Sequence, residues 1–157
     1  MANGVFNVAK GRAVELHNRV KNNDPATAGL IVVLLKVTEA DSVLRDYADL
    51  GALIGAAGNT EADFTNYARK TLTDVDIALA TLDNATDTYR ADIPDQTWTS
   101  AGGTLDNTLA KLIVCYAPDT AGADSTFVPL THHDFVATTD GNDLVASVHV
   151  DGYYSGT

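Results

Sequence analysis

Leu30-Ile31-Val32-Val33-Leu34-Leu35 is the stretch that decides the fold. It is short, wholly apolar and β-branched at Ile31, Val32 and Val33, the pattern of a strand buried on both faces. Upstream, Asn22-Asn23-Asp24-Pro25 breaks the chain, because proline presets a turn and Asn and Asp tolerate turn geometry. Downstream, from Ile77, the sequence reads as short strands separated by turns. The candidate strands are Tyr89 to Ile93, Thr97 to Thr99, Leu109 to Tyr116, Phe127 to Leu130, Asp134 to Thr138 and Leu144 to Val150. Pro94-Asp95, Gly102-Gly103, Pro118-Asp119 and Asp140-Gly141 punctuate them, and Asp140-Gly141 carries the dipeptide of a type I′ hairpin.

The clearest helix runs from Asp41, a plausible N-cap, to Ala57, with Leu44, Tyr47, Leu50, Leu53 and Ile54 at three- and four-residue spacing and Gly58 as a stop. Val5 to Val20 reads equally as a helix or as extended chain: Phe6, Ala13, Leu16 and Val20 have helical spacing, but Gly11 interrupts it. Phe64 to Leu72 is mixed, a short helix passing into a strand. No repeat or linker divides the 157 residues, which are expected to form one β-rich domain over residues 1–157. The fold class expected is mainly β with a minor helical part: an antiparallel β-sandwich or small barrel carrying one helix near residues 41–57.

Charge is the next signal. The net charge is −11, which argues against nucleic acid as a partner. Of the 21 acidic residues, 18 are Asp and three are Glu, and Asp with frequent Thr favours turns and strands over helix interiors. Residues 1–21 hold Lys10, Arg12, Arg19 and Lys21 against Glu15 alone. No Lys or Arg follows Lys111, whereas Asp119, Asp124, Asp134, Asp140, Asp143 and Asp151 do. This makes residues 1–21 a candidate basic docking segment on an acidic body. No run approaches the roughly 20 apolar residues of a membrane span, and the first residues lack a secretory pattern, so a membrane is not an expected partner.

Chemistry is sparse. His132 and Asp134 share one strand face while His133 points away, and His149 with Asp151 repeats the spacing. Convergence of His132, Asp134 and His149 would make a metal-binding or hydrolytic β domain; without a third ligand at useful spacing, no metal or cofactor is expected. Asp74-Val75-Asp76 and Asp140-Gly141-Asn142-Asp143 are only fragments of a calcium loop. The phosphate-loop, dinucleotide, nucleophile-elbow and zinc-protease motifs are missing, so the expectation is not an enzyme. Cys115, inside Leu112 to Tyr116, and Trp98, after Pro94, are expected core residues. Tyr153 and Tyr154 close the chain as adjacent aromatics, and one of them is expected at a subunit contact because neighbours in a strand face opposite ways.

Several segments together resemble a family of small proteins from the structural gene clusters of tailed bacteriophages. They are Asn7 to Arg12, Asn18 to Pro25, Leu44 to Leu50, Phe64 to Lys70, Pro94 to Thr99 and Pro129 to Phe135, spread over nearly the whole chain. The resemblance implies a virion part made in the host cytoplasm and brings no catalytic residue. A capsid decoration protein, binding the major capsid protein or other virion proteins as a homo-oligomer or symmetric array, fits the size and charge best. A tail-tip or fibre-associated protein touching the host surface is the alternative. The expected interaction residues are Phe6 as a packed anchor, Lys10, Arg12 and Arg19 as charged contacts, and Tyr153 and Tyr154.

Overall fold

A computed structural model describes residues 2–156. In chain order its strands are β1 (Gly4–Val5), β2 (Gly29–Val37), β3 (Thr60–Glu61), β4 (Lys70–Leu72), β5 (Thr81–Asp83), β6 (Thr88–Ala91), β7 (Gln96–Trp98), β8 (Thr108–Ala117), β9 (Val128–Thr138), β10 (Leu144–Ala146) and β11 (Tyr154–Gly156). The helices are α1 (Ala13–Lys21), α2 (Asp41–Leu44) and α3 (Leu50–Gly55), with 3-10 turns at Asn7–Ala9 and Asp124–Thr126. Strand makes up 34% and helix 16%, so the chain is mainly β, and its sheets are antiparallel.

The six-stranded main sheet has the order β1-β9-β8-β2-β3, with β4 also on β2. Its order is open, and no pairing among the described residues closes it into a barrel. β7 and β10 make a two-stranded sheet; β5, β6 and β11 make a three-stranded one. The six residues from Leu30 to Leu35 are at most 3% exposed, because β2 lies between β8 and the short β3 and β4 with both faces covered.

Register fixes those faces. Ile31, Val33 and Leu35 stand opposite Cys115, Ile113 and Lys111, and Ile113 and Lys111 stand opposite His132 and Asp134. That face meets the opening segment and α2: the Phe6 ring packs edge-on against His132 at 5.5 Å, and Lys111 reaches Asp41. The other face carries Leu112, Val114 and His133, which line a hollow together with Ile93, Ala146 and Tyr153 from the region of the small sheets. α1 covers that side too, with His17 against Tyr153. Trp98 is buried there under Lys70, and its indole N–H donates to the Ala68 carbonyl at 2.8 Å.

Several expectations change. The helix expected near residues 41–57 is two short helices, because Asp49 restarts the chain as the N-cap of α3, accepting the Ala52 N–H at 2.7 Å. Asp41 is not a cap; its carboxylate turns to the Ala2 N–H and to Lys111. Of the two readings of the opening segment the helical one holds, as α1, and the extended one fails: β1 takes only Gly4–Val5, and Gly11 at φ +79° lies in the break before the helix. Phe127 to Leu130 and Asp134 to Thr138 fall into one continuous strand, apart from Phe127 itself. The Asp140-Gly141 turn forms, with Gly141 at φ +91°, but it makes no hairpin. Gly141 donates to the Ala101 carbonyl and Ala101 to that of Asn142, so the turn carries β10 across to β7 instead of back to β9.

Phe6 is fully buried. A large ring in that position holds the opening segment to β9, and Phe6→Ala should lower the unfolding free energy by about 3–5 kcal/mol in urea denaturation.

Candidate functional site

The side chains with chemistry to offer gather at β9 and at the β1 segment beside it. β9 places His132 and Asp134 on one face and His133 on the other, as period-two alternation requires. Gly4 pairs with His132, and a side chain at Gly4 would collide with the imidazole, its Cβ lying 2.6 Å from Nε2. A glycine there lets the ring lie across β1.

Beneath it sits Lys111, whose side chain has no exposure. Its Nζ lies 2.5 Å from Asp134 Oδ1, 2.8 Å from Asp41 Oδ1 and 3.1 Å from the Ala2 carbonyl oxygen. The Asp41 contact is a close charge pair off the hydrogen-bonding direction, since Oδ1 has no directed hydrogen bond. Burial pushes the Asp41 carboxyl up, but the Lys111 ammonium and the Ala2 N–H outweigh it and hold the group below its ordinary value. Nothing in the sequence reading marked Lys111. The signal was there: a lone cation inside the buried run Leu109 to Tyr116 has to find carboxylates from other elements.

Two hollows flank β9. One, of about 360 Å³, is lined by Ala2, Gly4, Lys10, Asp41, Arg45 and His132 among others. The second, of about 390 Å³ on the opposite face, is walled by His133, His149, Gln96, Phe135 and Tyr153 among others. His133 shares a hydrogen bond with Thr131 through Nε2 at 2.9 Å. Thr131 is 1% exposed, so this hydroxyl–imidazole pair offers no nucleophile to the hollow. Burial, then the neighbouring His132 and Lys111, lower the His133 pKa to about 4, and burial with Lys111 also lowers His132.

His132 and His149 open on opposite hollows, so His132, Asp134 and His149 do not converge. Among the described residues no three His, Cys, Asp or Glu side chains are placed to hold a metal ion. His149 is 74% exposed and lies 3.4 Å from Asp151.

Comparison with protein-family models, with curated proteins and with solved structures finds no match.

The expected interaction residues divide. Lys10 and Arg12 are exposed, and Lys10 lines the first hollow. Arg19 is half-exposed and tied to Asp24, its Nε donating to the carbonyl at 3.1 Å. Phe6 is withdrawn as a surface anchor, because its ring is wholly inside the core. Tyr153 is withdrawn too: it is 5% exposed and its hydroxyl is 3.1 Å from His17 Nδ1. Tyr154 is half-buried in β11. Arg45, which the sequence reading passed over, joins Lys10 because α2 ends beside the opening segment. Cys115 is buried, and burial pushes its thiol well above the ordinary range. No helix among the described residues is long and apolar enough to cross a membrane.

Two predictions test this arrangement. Lys111→Met should cost about 1–3 kcal/mol, less than a fully buried pair because both carboxylates keep partial exposure, and adding Asp41→Asn should recover part of the loss in a double-mutant cycle. The imidazoles of His132 and His133 titrate below the unfolded value of 6.5. The unfolded chain therefore binds more protons than the fold between pH 6.5 and about 4, and stability, full above that window, falls as pH drops through it. Urea denaturation at pH 7 and pH near 5 should show that fall, and His133→Gln should make it shallower.

Proposed function

We propose that this chain is a non-enzymatic structural protein of a tailed-phage particle, a decoration protein that docks on the major capsid lattice. The observation that carries the reading is the uneven placement of charge along the chain, with exposed cations near its start. Lys10 and Arg45 are exposed at the end of the molecule where β1 begins and Arg12 is exposed ahead of α1, while the chain after Lys111 contributes Asp and no Lys or Arg. An acidic body is repelled by an acidic shell, so attachment needs a local cationic exception, and this end supplies one. The segment resemblance to phage structural proteins supports the same reading. Residues 1–21 act through exposed charge alone, since Phe6, Ala9, Ala13, Leu16 and Val20 are committed to the core.

Quantitative mass spectrometry of purified particles tests the proposal: a decoration protein is present at hundreds of copies, a tail component at a handful, and absence defeats both. Rim charges govern association rate and its salt dependence more than dissociation. A Lys10→Glu, Arg12→Glu double variant should bind particles more slowly, with a flatter response to salt and an unchanged melting temperature. Unchanged association would show that another face docks.

A further inference from the structure

The hollow beside β1 has a composition that specifies a ligand. It brings together Lys10 from the turn before α1, Arg45 from the end of α2 and His132 from β9. Lys10 and Arg45 are exposed, and among the described residues neither joins an ion pair. Arg45 spends only Nε, which donates to the Asp41 carbonyl at 3.1 Å. His132 is 3% exposed, and its Nδ1 is buried with no hydrogen-bond partner among the described residues. That nitrogen lies out of reach of the hollow, so His132 helps to wall the site and the two exposed cations are what it offers a ligand.

One carboxylate, Asp41, also lines this hollow. Its Oδ2 accepts the Ala2 N–H at 2.7 Å, and its Oδ1, which has no directed hydrogen bond, lies 2.8 Å from Lys111 Nζ as a charge pair. A buried lysine therefore answers Asp41 from below, and Lys10 and Arg45 border the hollow with no ion pair among the described residues.

We propose that this hollow binds a carboxylate presented by an acidic segment of a partner protein chain. The guanidinium fork of Arg45 matches a planar carboxylate, and Lys10 adds a point charge. Asp41 on the wall favours a single negative charge over the doubled charge of a phosphate. About 360 Å³ is more than a bare carboxylate fills, and it admits an acidic side chain with its flanking backbone. This deepens the docking reading, on which it rests for the kind of partner, by naming one cavity and one ligand class.

The test titrates the isotope-labelled full chain at low salt with a capped glycine–aspartate–glycine tripeptide and, separately, with inorganic phosphate. The tripeptide should give saturable shifts at the Gly4, Val5 and Arg45 amides and at the His132 ring. Lys10→Gln and Arg45→Gln, both exposed positions, should each weaken binding by about tenfold or more. Arg45→Lys, which keeps the charge and loses the fork, should fall between. Absence of saturable shifts, tighter binding of phosphate than of tripeptide, or shifts spread evenly over Arg12, Lys36 and Arg90 would overturn the proposal. If one variant melts early, the other variant and the site of the shifts decide. Abundant protein on particles with no tripeptide binding defeats this inference alone, and tripeptide binding with no protein on particles defeats the docking reading alone.

Discussion

A lysine ammonium with no exposure cannot stay charged unless counter-charges are brought to it, and the placement of Lys111 imposes that demand on much of the fold. Lys111 lies in the centre of β8, between β2 and β9, where Leu35 is opposite on one side and Asp134 on the other. Asp134 is a neighbour in the sheet. The second carboxylate, Asp41, comes from α2, and the remaining acceptor from the Ala2 backbone. Three parts of the chain remote in sequence are therefore tied to one ammonium. That tie gives Asp41, the first residue of α2, its role: it serves the lysine and the Ala2 N–H rather than capping the helix. It also fixes the opening segment over β9, where Phe6 and Gly4 then enclose His132.

A second cation does similar work on the same face of the sheet. Arg69 forks to Glu61 through Nε and Nη2 at 2.8 Å each and reaches Asp124 at 2.5 and 3.0 Å. It joins β3 to the 3-10 turn before β9, and the Tyr67 hydroxyl completes the link by donating to Glu61 at 2.9 Å and accepting the Leu34 N–H at 3.1 Å. Both faces of the central strands are thus occupied, one by apolar layers and the other partly by ion pairs. What the sheet has left for other molecules lies at its ends and edges.

The strands were legible where burial was continuous or alternation simple. Leu30 to Leu35 and Leu109 to Tyr116 read directly, because a run covered on both faces needs no partner to be recognised. The opposite orientations of His132 and His133 followed from the period of a strand alone. The helix near residues 41–57 failed for a reason outside its own periodicity: Asp41 and Asp49 are spoken for by Lys111 and by a fresh N-cap. The hairpin failed likewise. Asp140-Gly141 has the right local chemistry, but the backbone of Ala101 claims the turn. In the candidate site, the exposure of Lys10 and Arg12 agreed with the charge pattern, whereas Phe6 and Tyr153 were misplaced outside the core. Aromatic residues near chain ends carry no local mark of what covers them. Arg45 was invisible because only the tertiary path of α2 puts it beside Lys10.

Net charge describes this protein poorly at the scale where contacts form. At physiological salt, exposed charges more than about 8 Å apart are largely screened, so the −11 of the whole chain does not set the field inside one hollow. What sets it there is which charges are already answered. Asp41 and Asp134 are answered by Lys111, and a buried pair is screened less than an exposed one. Lys10 and Arg45 are exposed and without an ion pair among the described residues, and the exposed Asp46 beside Arg45 is taken up by the Asn7 amide. The same burial that makes Lys111 a structural necessity occupies the two carboxylates nearest those cations, so the stability of the β8–β9 pair and the availability of Lys10 and Arg45 come from a single arrangement.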